Sequence, residues 1–590
     1  MAIIYVDSAY VGSEGAASGD LGHGTGIIFS TLPLAYAAAA SGDYIYCRDD
    51  RVFIPTAAKF FSSNGVNGKR LIFGRYGNGT EIPFLDGSFY EDTVSGWSHI
   101  GSGVWQKTVG TGGTWVTADT MWVGATRPGT SKSSWVRGTM MRLANGNAAS
   151  GFVNGNNPLL GNGIWYGYIS GGQFIVQVWT GLTGAGGDPI SVYGGLRFLA
   201  GSGSAGGVTE CLSFNGAGSS DSEVHELALF GARNAAGGSV ILSVSGTVNN
   251  LLFDSVQFLA SKRGLFLQSQ VADTYITNVE LSGDWLADDL IDPVTSPSYD
   301  ETDGIDHNNW ESLSFDDRCQ DVTVSGGLIL SAGGHGAVSV APTHGGADGS
   351  QQRPQRIRVD GTRARCDIRA RYCRGMSVQN CDDVRISRMK YTGYGVASKA
   401  VGNRSIFTQN EWSYCGTVPA NPNSETSVVT VPVNLELGSV SITFSNNLID
   451  GRGKTARGAT QNYGLFQFKT TKGSAMAAGA VVAECNVLLG DTGCAAIRVV
   501  NGSSSGAANR INPNQTIRSN WWNTGAAAVA CYERNGGENL PGTAMTIAAY
   551  FTTGVTTGTV QKTLAEIAQG GGARPMTPMD KVPIDRVPFN

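Results

Sequence analysis

The residues best equipped for chemistry are crowded into one stretch. Residues 284–317, DWLADDLIDPVTSPSYDETDGIDHNNWESLSFDD, hold eleven carboxylates and no Lys or Arg. Cleaving a glycosidic bond needs one carboxyl that keeps its proton for the leaving oxygen and another, ionised, that activates water or attacks the sugar. Crowding supplies that asymmetry, because like charges raise the pKa of one partner. The candidate catalytic set is Asp303 and Asp306, followed by Glu301, Glu311, Asp316 and Asp317, with His335 orienting an acid or a substrate hydroxyl. Trp285, Tyr299 and Trp310 stand among the acids and offer stacking faces for sugar rings. An acidic run is also the ordinary composition of a solvated loop, and single carboxylates serve turns and caps.

A basic stretch follows. Residues 353–390 carry eleven Lys or Arg against four acids. Alternate side chains of a strand share a face, so RIRV and VRISRMK are expected to turn Arg356, Arg358, Arg385 and Arg388 outward as a stripe. Two uses fit it: contact with an anionic polymer such as a uronate-containing glycan, or neutralisation of the acidic loop or of a neighbouring subunit. Arg356, Arg358, Tyr391, Tyr394 and His335 also offer the groups that β-elimination beside a uronate would need.

These residues interrupt a series of short Val/Ile-rich strands. VHELALF (224–230), NNLLFDSVQFL (249–259), TYITNVEL (274–281), QDVTVSGGLIL (320–330), QRIRVDG (355–361), DDVRISRMKY (382–391), RSIFTQNEW (404–412) and SVSITFSNNLID (439–450) recur with Gly- and Asn-rich punctuation. Their starts lie about 21–46 residues apart, the spacing of stacked repeats extended by loops. With 83 Gly, 19 Pro and 15% charged residues, the chain has many tight turns without the polarity of a disordered protein. The expected fold is all-β, a parallel β-helix. Successive rungs lie about 4.8 Å apart. Carboxyls one or two rungs apart therefore reach the separations of about 5 Å (retaining) or about 6.5–9.5 Å (inverting).

Four segments are expected. Residues 1–50 form an N-terminal cap, with Thr31-Leu32-Pro33 opening an alanine-rich helix that stops at Gly42. Residues 51–205 form an inserted β region of hairpins holding seven of the twelve Trp, as core or as a sugar-stacking face. Residues 206–535 form the β-helix with the acidic loop 284–317, and 536–590 a C-terminal cap with a helix at 562–569 and a Pro-rich tail.

A net charge of −5 and a pI near 5.8 give no footprint for nucleic acid. The ten Cys show no CxxC pairing and read mostly as buried free thiols. No basic-then-apolar leader and no run of roughly eighteen apolar residues is present, so neither secretion by a signal peptide nor membrane insertion is expected. No zinc-ligand spacing, P-loop or other cofactor motif stands out, and no cofactor or metal is expected.

TDGID (302–306), Asp316-Asp317, GGHGAVSV (333–340) and RIR (356–358) resemble, in order, the Asp-Gly, Asp-Asp, Gly-His-Gly and Arg-Ile-Lys signatures of polygalacturonase-type glycoside hydrolases, which are right-handed parallel β-helices. RIR lacks the final lysine, and Asp316 follows Asp303 by only thirteen residues. The entrance, a strand then an Ala-rich helix then Gly-Asp and a second strand, resembles that of pectin-lyase-like β-helices. The whole chain is similar to bacteriophage tailspike depolymerases. That resemblance implies a homotrimer in the virion, attached to phage tail or baseplate proteins, binding a bacterial surface polysaccharide (O-antigen or capsule) and cutting it. A polysaccharide lyase and a non-catalytic receptor-binding fibre are the alternatives.

Overall fold

Each coil of the chain contributes three short strands, and each strand pairs with its counterpart one coil away. In the computed structural model the chain divides into two units, one of residues Met1–Pro354 and Cys366–Cys373, the other of Gln355–Arg365 and Arg374–Asn590. The structure describes all residues except 20, 54–65, 88–89, 93–95, 112–117, 124–138, 141, 144–163, 194–195, 201–210, 231–239, 260–262, 268–269, 283–310, 317, 332–335, 342–352, 367–373, 395–397, 414, 416–432, 437–440, 453–463, 470–477, 491–494, 502–513, 524–528, 536–537, 540–542, 546–558 and 570–590.

In the first unit, Ile3–Val6, Asp43–Arg48, Leu71–Tyr76, Glu223–His225, Leu252–Asp254, Val271–Thr277 and Gln320–Ser325 pair in parallel as a first sheet. Val52–Phe53, Phe84–Asp86, Ala228–Phe230, Gln257–Leu259, Glu280–Ser282 and Leu328–Ser331 form a second. Val66–Asn67, Leu212–Asn215, Val240–Ser245, Arg263–Leu267, Glu311–Phe315 and Gly336–Val340 form a third. Three parallel sheets visited in turn make a parallel β-helix. The second unit repeats the pattern. Its first sheet runs from Gln355–Asp360 to Thr516–Arg518, its second from Arg363–Cys366 to Val560–Gln561, and its third from Met376–Val378 to Val529–Asn535.

Segments that read as single strands fold as two. NNLLFDSVQFL gives Leu252–Asp254 and Gln257–Leu259, split at Ser255, whose φ is 56°. Glu226, Asn278, Arg388, Gln409, Asn446, Cys485 and Ser519 take the same left-handed conformation at the corresponding bends. That conformation is costly for a residue with a Cβ, and the corner also removes backbone groups from the sheet ladders, where burial would leave them unsatisfied.

In the second unit an asparagine follows the bend and supplies the missing partners. Asn447 donates from its backbone N–H and from Nδ2 to Asn486 Oδ1, both at 3.0 Å, and from Nδ2 to the Phe407 carbonyl at 3.0 Å. Asn410, Asn486 and Asn520 repeat the arrangement, and Thr559 ends it by donating to the Ile517 carbonyl. The coils linked differ in length, with 37, 39 and 34 residues between successive asparagines. Loops absorb that difference and the corner does not.

Apolar side chains fill the interior. In the second unit Trp412 stacks between Tyr391 and Phe444, ring centroids 5.2 and 5.7 Å away, and Phe444 stacks on Phe466 at 4.8 Å. Cys47, Cys211 and Cys319 in the first unit, and Cys381 and Cys415 in the second, are buried free thiols, as is Cys366.

The expected N-terminal helix forms at Leu32–Ala38, ending before Gly42, and buries Leu32, Ala35 and Tyr36. Lys69 Nζ donates to the Tyr36 and Ala39 carbonyls at 2.9 and 2.7 Å, satisfying the last turn with a cation at the negative end of the helix. Two largely antiparallel sheets lie in the chain between Phe84–Asp86 and Leu212–Asn215, among them the hairpin Ile164–Ser170 and Gln173–Trp179. Trp97 there is buried, whereas Trp105 and Trp179 donate from Nε1 to the Leu182 and Ser102 carbonyls. The C-terminal helix is Leu564–Gln569, started by reciprocal bonds between Thr563 and Glu566. Among the described residues no helix is long and apolar enough to cross a membrane.

Candidate functional site

The third sheet of the first unit fixes where the acidic segment ends. Glu311 opens the strand Glu311–Phe315 and pairs in register with Arg263 on one side and Gly336 on the other. Each of these residues is the first of its strand. The chain reaches Glu311 through residues 283–310 and Gly336 through 332–335, both from the second sheet. The acid-rich connection and the one holding His335 therefore enter the same end of one sheet on neighbouring strands.

Glu301, Asp303, Asp306, Asp317, His335, Trp285, Tyr299 and Trp310 lie outside the described residues. Asp316 is buried just past the other end of the Glu311 strand, its N–H donating to the Leu267 carbonyl at 2.9 Å. At roughly 3.3 Å per residue the backbone positions of Glu311 and Asp316 are about 16 Å apart, so the two do not share one end of the sheet.

In the second unit the basic residues divide. Arg356 and Arg358 are exposed on alternate positions of Gln355–Asp360, as the RIR parity requires, and Arg358 faces Arg385 in register on the next coil. Arg388 departs from the expected outward stripe. It occupies the left-handed bend with φ 54°, and its guanidinium pairs with Asp360, Nε to Oδ1 at 2.8 Å, with a second contact from Nη2 to Oδ2. Asp360 raises the pKa of that guanidinium further. At the other end of the strand Arg385–Ser387, Arg404 grips Asp383 through Nε and Nη2 at 2.8 and 2.7 Å, which holds the Asp383 carboxyl below the usual carboxylate range.

Tyr391 and Tyr394 are both fully buried. Burial pushes the Tyr391 hydroxyl far up. Their expected availability as bases for elimination is therefore corrected, because an interior phenol in a ring stack cannot meet a polymer outside.

One constellation escapes the sequence reading. On the outer face of the first sheet in the first unit, His225 Nε2 lies 2.8 Å from Glu223 Oε2, and His225 Nδ1 lies 4.0 Å from Asp254 Oδ2. Asp254 faces His225 in register from the next coil. In the column of Glu223 the exposed Tyr275 stands two coils further on, and Tyr44 two coils back. Tyr44 stacks on Tyr46 at 5.7 Å, and Tyr46 on His23 at 3.9 Å. This face combines aromatic rings with carboxylates and an imidazole. EVH shows the shared face of Glu223 and His225, but only the register brings Asp254 opposite. Among the described residues no cluster of His, Cys, Asp and Glu is arranged to hold a metal ion.

No family model and no curated protein matches the chain. Solved structures similar to it include a glycoside hydrolase (10% identity, 91% of this chain and 97% of that one, TM-score 0.40). XylC in complex with xylose is similar at 8% identity over 88% and 83% of the two chains, with TM-score 0.36. The tailspike protein gp49 from Pseudomonas phage LKA1 is similar at 10% identity over 90% and 77%, with TM-score 0.31. No residue role passes from them to this chain.

Proposed function

We propose that this chain is a phage tailspike-like endo-glycosidase, a virion homotrimer that binds bacterial surface polysaccharide and hydrolyses its internal bonds. The observation that supports this is the Glu311–Gly336 register, which brings the acid-rich connection and the His335 connection to one end of a sheet. In this reading Asp303 and Asp306 are the first acid and base, and Glu301 and Glu311 the carboxylates that set their pKa values apart. His335 orients one of them, and Trp285, Tyr299 and Trp310 stack against sugar rings. The β-elimination alternative loses two candidate bases with the burial of Tyr391 and Tyr394.

The test is incubation with purified capsules and lipopolysaccharides, with products sized by mass spectrometry. Native protein should release fragments with new reducing ends and one added water, and no unsaturated uronate. Asp303→Asn and Asp306→Asn should each lose activity by about 10² or more while still binding the polymer. Unsaturated products would replace hydrolysis with elimination, and tight binding without any cleavage would leave a receptor fibre.

A further inference from the structure

The outer face of the first sheet in the first unit carries two neighbouring columns of unlike chemistry. One runs through Tyr44, Ile72, Glu223, Leu252 and Tyr275, apolar or aromatic on both sides of Glu223. Its two tyrosines stand roughly 19 Å apart at the usual strand spacing, with Glu223 midway, and Tyr275 is 40% exposed. The other column runs through His225, Asp254, Thr277 and Ser325 and is polar throughout. Tyr46 is in register with Gly74, where a Cβ would come within 3.0 Å of two carbons of the Tyr46 ring, so the bare strand lets that ring lie over it.

The polar groups around His225 present acceptors. A carboxylate only accepts, so the 2.8 Å contact with Glu223 Oε2 puts the proton of the neutral ring on Nε2 and leaves Nδ1 to accept. Asp254 Oδ1 takes the Thr277 and Ser255 hydroxyls at 2.7 and 3.3 Å, while Oδ2 is 4.0 Å from Nδ1, beyond hydrogen-bond reach. Among the described residues neither carboxylate has a Lys or Arg partner, and Arg75 nearby is held by Glu226 and the Gly79 carbonyl. Glu223 Oε1, His225 Nδ1 and Asp254 Oδ2 therefore face a ligand that brings the donors.

We infer that this face is a second glycan-binding strip, which holds an uncharged stretch of polysaccharide across successive coils; this rests on the polysaccharide reading above. A sugar ring has an apolar C–H face and an edge of hydroxyls. The face suits Tyr44, Tyr275 and the aliphatic side chains between them, and the hydroxyls supply the donors that the three acceptors lack. Glu223 and Asp254 repel uronate, sulfate and phosphate groups, so the segment held here is a neutral one. The strip lies on the first sheet, whereas the acid-rich and His335 connections enter the third. Holding and cutting thus belong to different sheets.

The experiment is affinity electrophoresis and binding titration of the whole protein with the uncharged polymers dextran, mannan, galactan and laminarin, beside polygalacturonate and chitosan as the anionic and cationic comparators. Native protein should bind at least one uncharged polymer, with little change as salt rises. Glu223→Gln with Asp254→Asn should weaken that binding by about tenfold or more, because bonds to a charged acceptor are the stronger ones. Tyr275→Ala should weaken it by about fivefold and Tyr275→Phe should restore it, since the ring and not the hydroxyl makes the stacking face. Unchanged melting temperatures would confirm that the variants fold. On any polymer that the protein cleaves, the amide pair and Tyr275→Ala should raise KM and leave kcat, the reverse of Asp303→Asn.

The inference would be overturned by native protein that binds no uncharged polymer, or by native affinity in either the amide pair or Tyr275→Ala. Chitosan bound more tightly than every uncharged polymer, through a salt-dependent contact that the amide pair loses, would overturn it in favour of amine-bearing sugars. A fall in kcat at unchanged KM in the amide pair would overturn it by making the face catalytic. Cleavage lost in Asp303→Asn, with native binding in the face variants, would remove the strip and leave the hydrolase. Binding that depends on the face without cleavage of any glycan would keep the strip and remove the hydrolase.

Discussion

Glu311 and Gly336 face one another as register partners on adjacent parallel strands, each the first residue of its strand. Gly336 follows His335 directly, so two segments well separated in sequence are fixed one rung apart. If their side chains act on one bond they should behave as a unit. Glu311→Gln and His335→Ala are each expected to lower turnover by about 10², with the double variant little worse than either alone. Fully additive losses in kcat would show that the two act independently.

The asparagine row at the bends should carry a share of the stability of the second unit. Asn447→Leu removes an amide that serves the Phe407 carbonyl and both donors of Asn410. Each buried group left unsatisfied costs about 1–3 kcal/mol. A clear fall in the urea midpoint is expected, larger than that for Thr247→Val at an exposed bond to Gln270 in the first unit. Equal midpoints would mean that water or relaxation replaces the ladder.

Trp412 has no exposed surface and lies between two rings. Trp412→Ala should destabilise by about 3–5 kcal/mol, whereas Trp412→Phe should recover more than half of that loss. Thermal melting of the two variants checks the order.

Asp7 forms an acid-sensitive joint just after the strand Ile3–Val6. Burial alone would push its carboxyl up, but bonds from Arg51 at 2.7 Å, the Ala9 N–H at 3.0 Å and Arg48 at 2.8 Å outweigh burial and hold it below the ordinary carboxylate range. A depressed folded-state pKa means stability that is present above the unfolded value, near 4, and lost as pH falls through the folded one. Asp7→Asn should therefore lower the melting temperature at pH 7. The gap from native should close as pH drops below about 4. A gap independent of pH would assign the effect to shape alone.

The fold was legible because short apolar strands recur between Gly- and Asn-rich turns, and a β-helix has few other ways to write itself. Its corners were less so. VHELALF and RSIFTQNEW read as continuous strands, yet Glu226 and Gln409 break them with φ of 49° and 58°. Non-glycine residues carry no obvious mark of that conformation. Arg388 left the expected stripe because it lies at the corner between two strands and pairs with Asp360, whereas Arg358 and Arg385 lie within strands. The acid-rich stretch is a matter of composition, but the adjacency of Glu311 to Gly336, and of His225 to Asp254, depends on register across coils of unequal length. Spacing along the chain does not encode it.

The row from Asn410 to Thr559 also has a direction. Each asparagine in it donates forward to the next coil and backward to a carbonyl of the previous one, so each link is shared by two neighbours, and the last rests on the Thr559 hydroxyl, which donates only backward. Such a row should open like a zip, from its ends, with the Thr559 end the weaker. Amide hydrogen exchange should accordingly be slowest at the Asn447 N–H and faster at the Asn520 N–H, whose acceptor is that terminal hydroxyl at 3.3 Å.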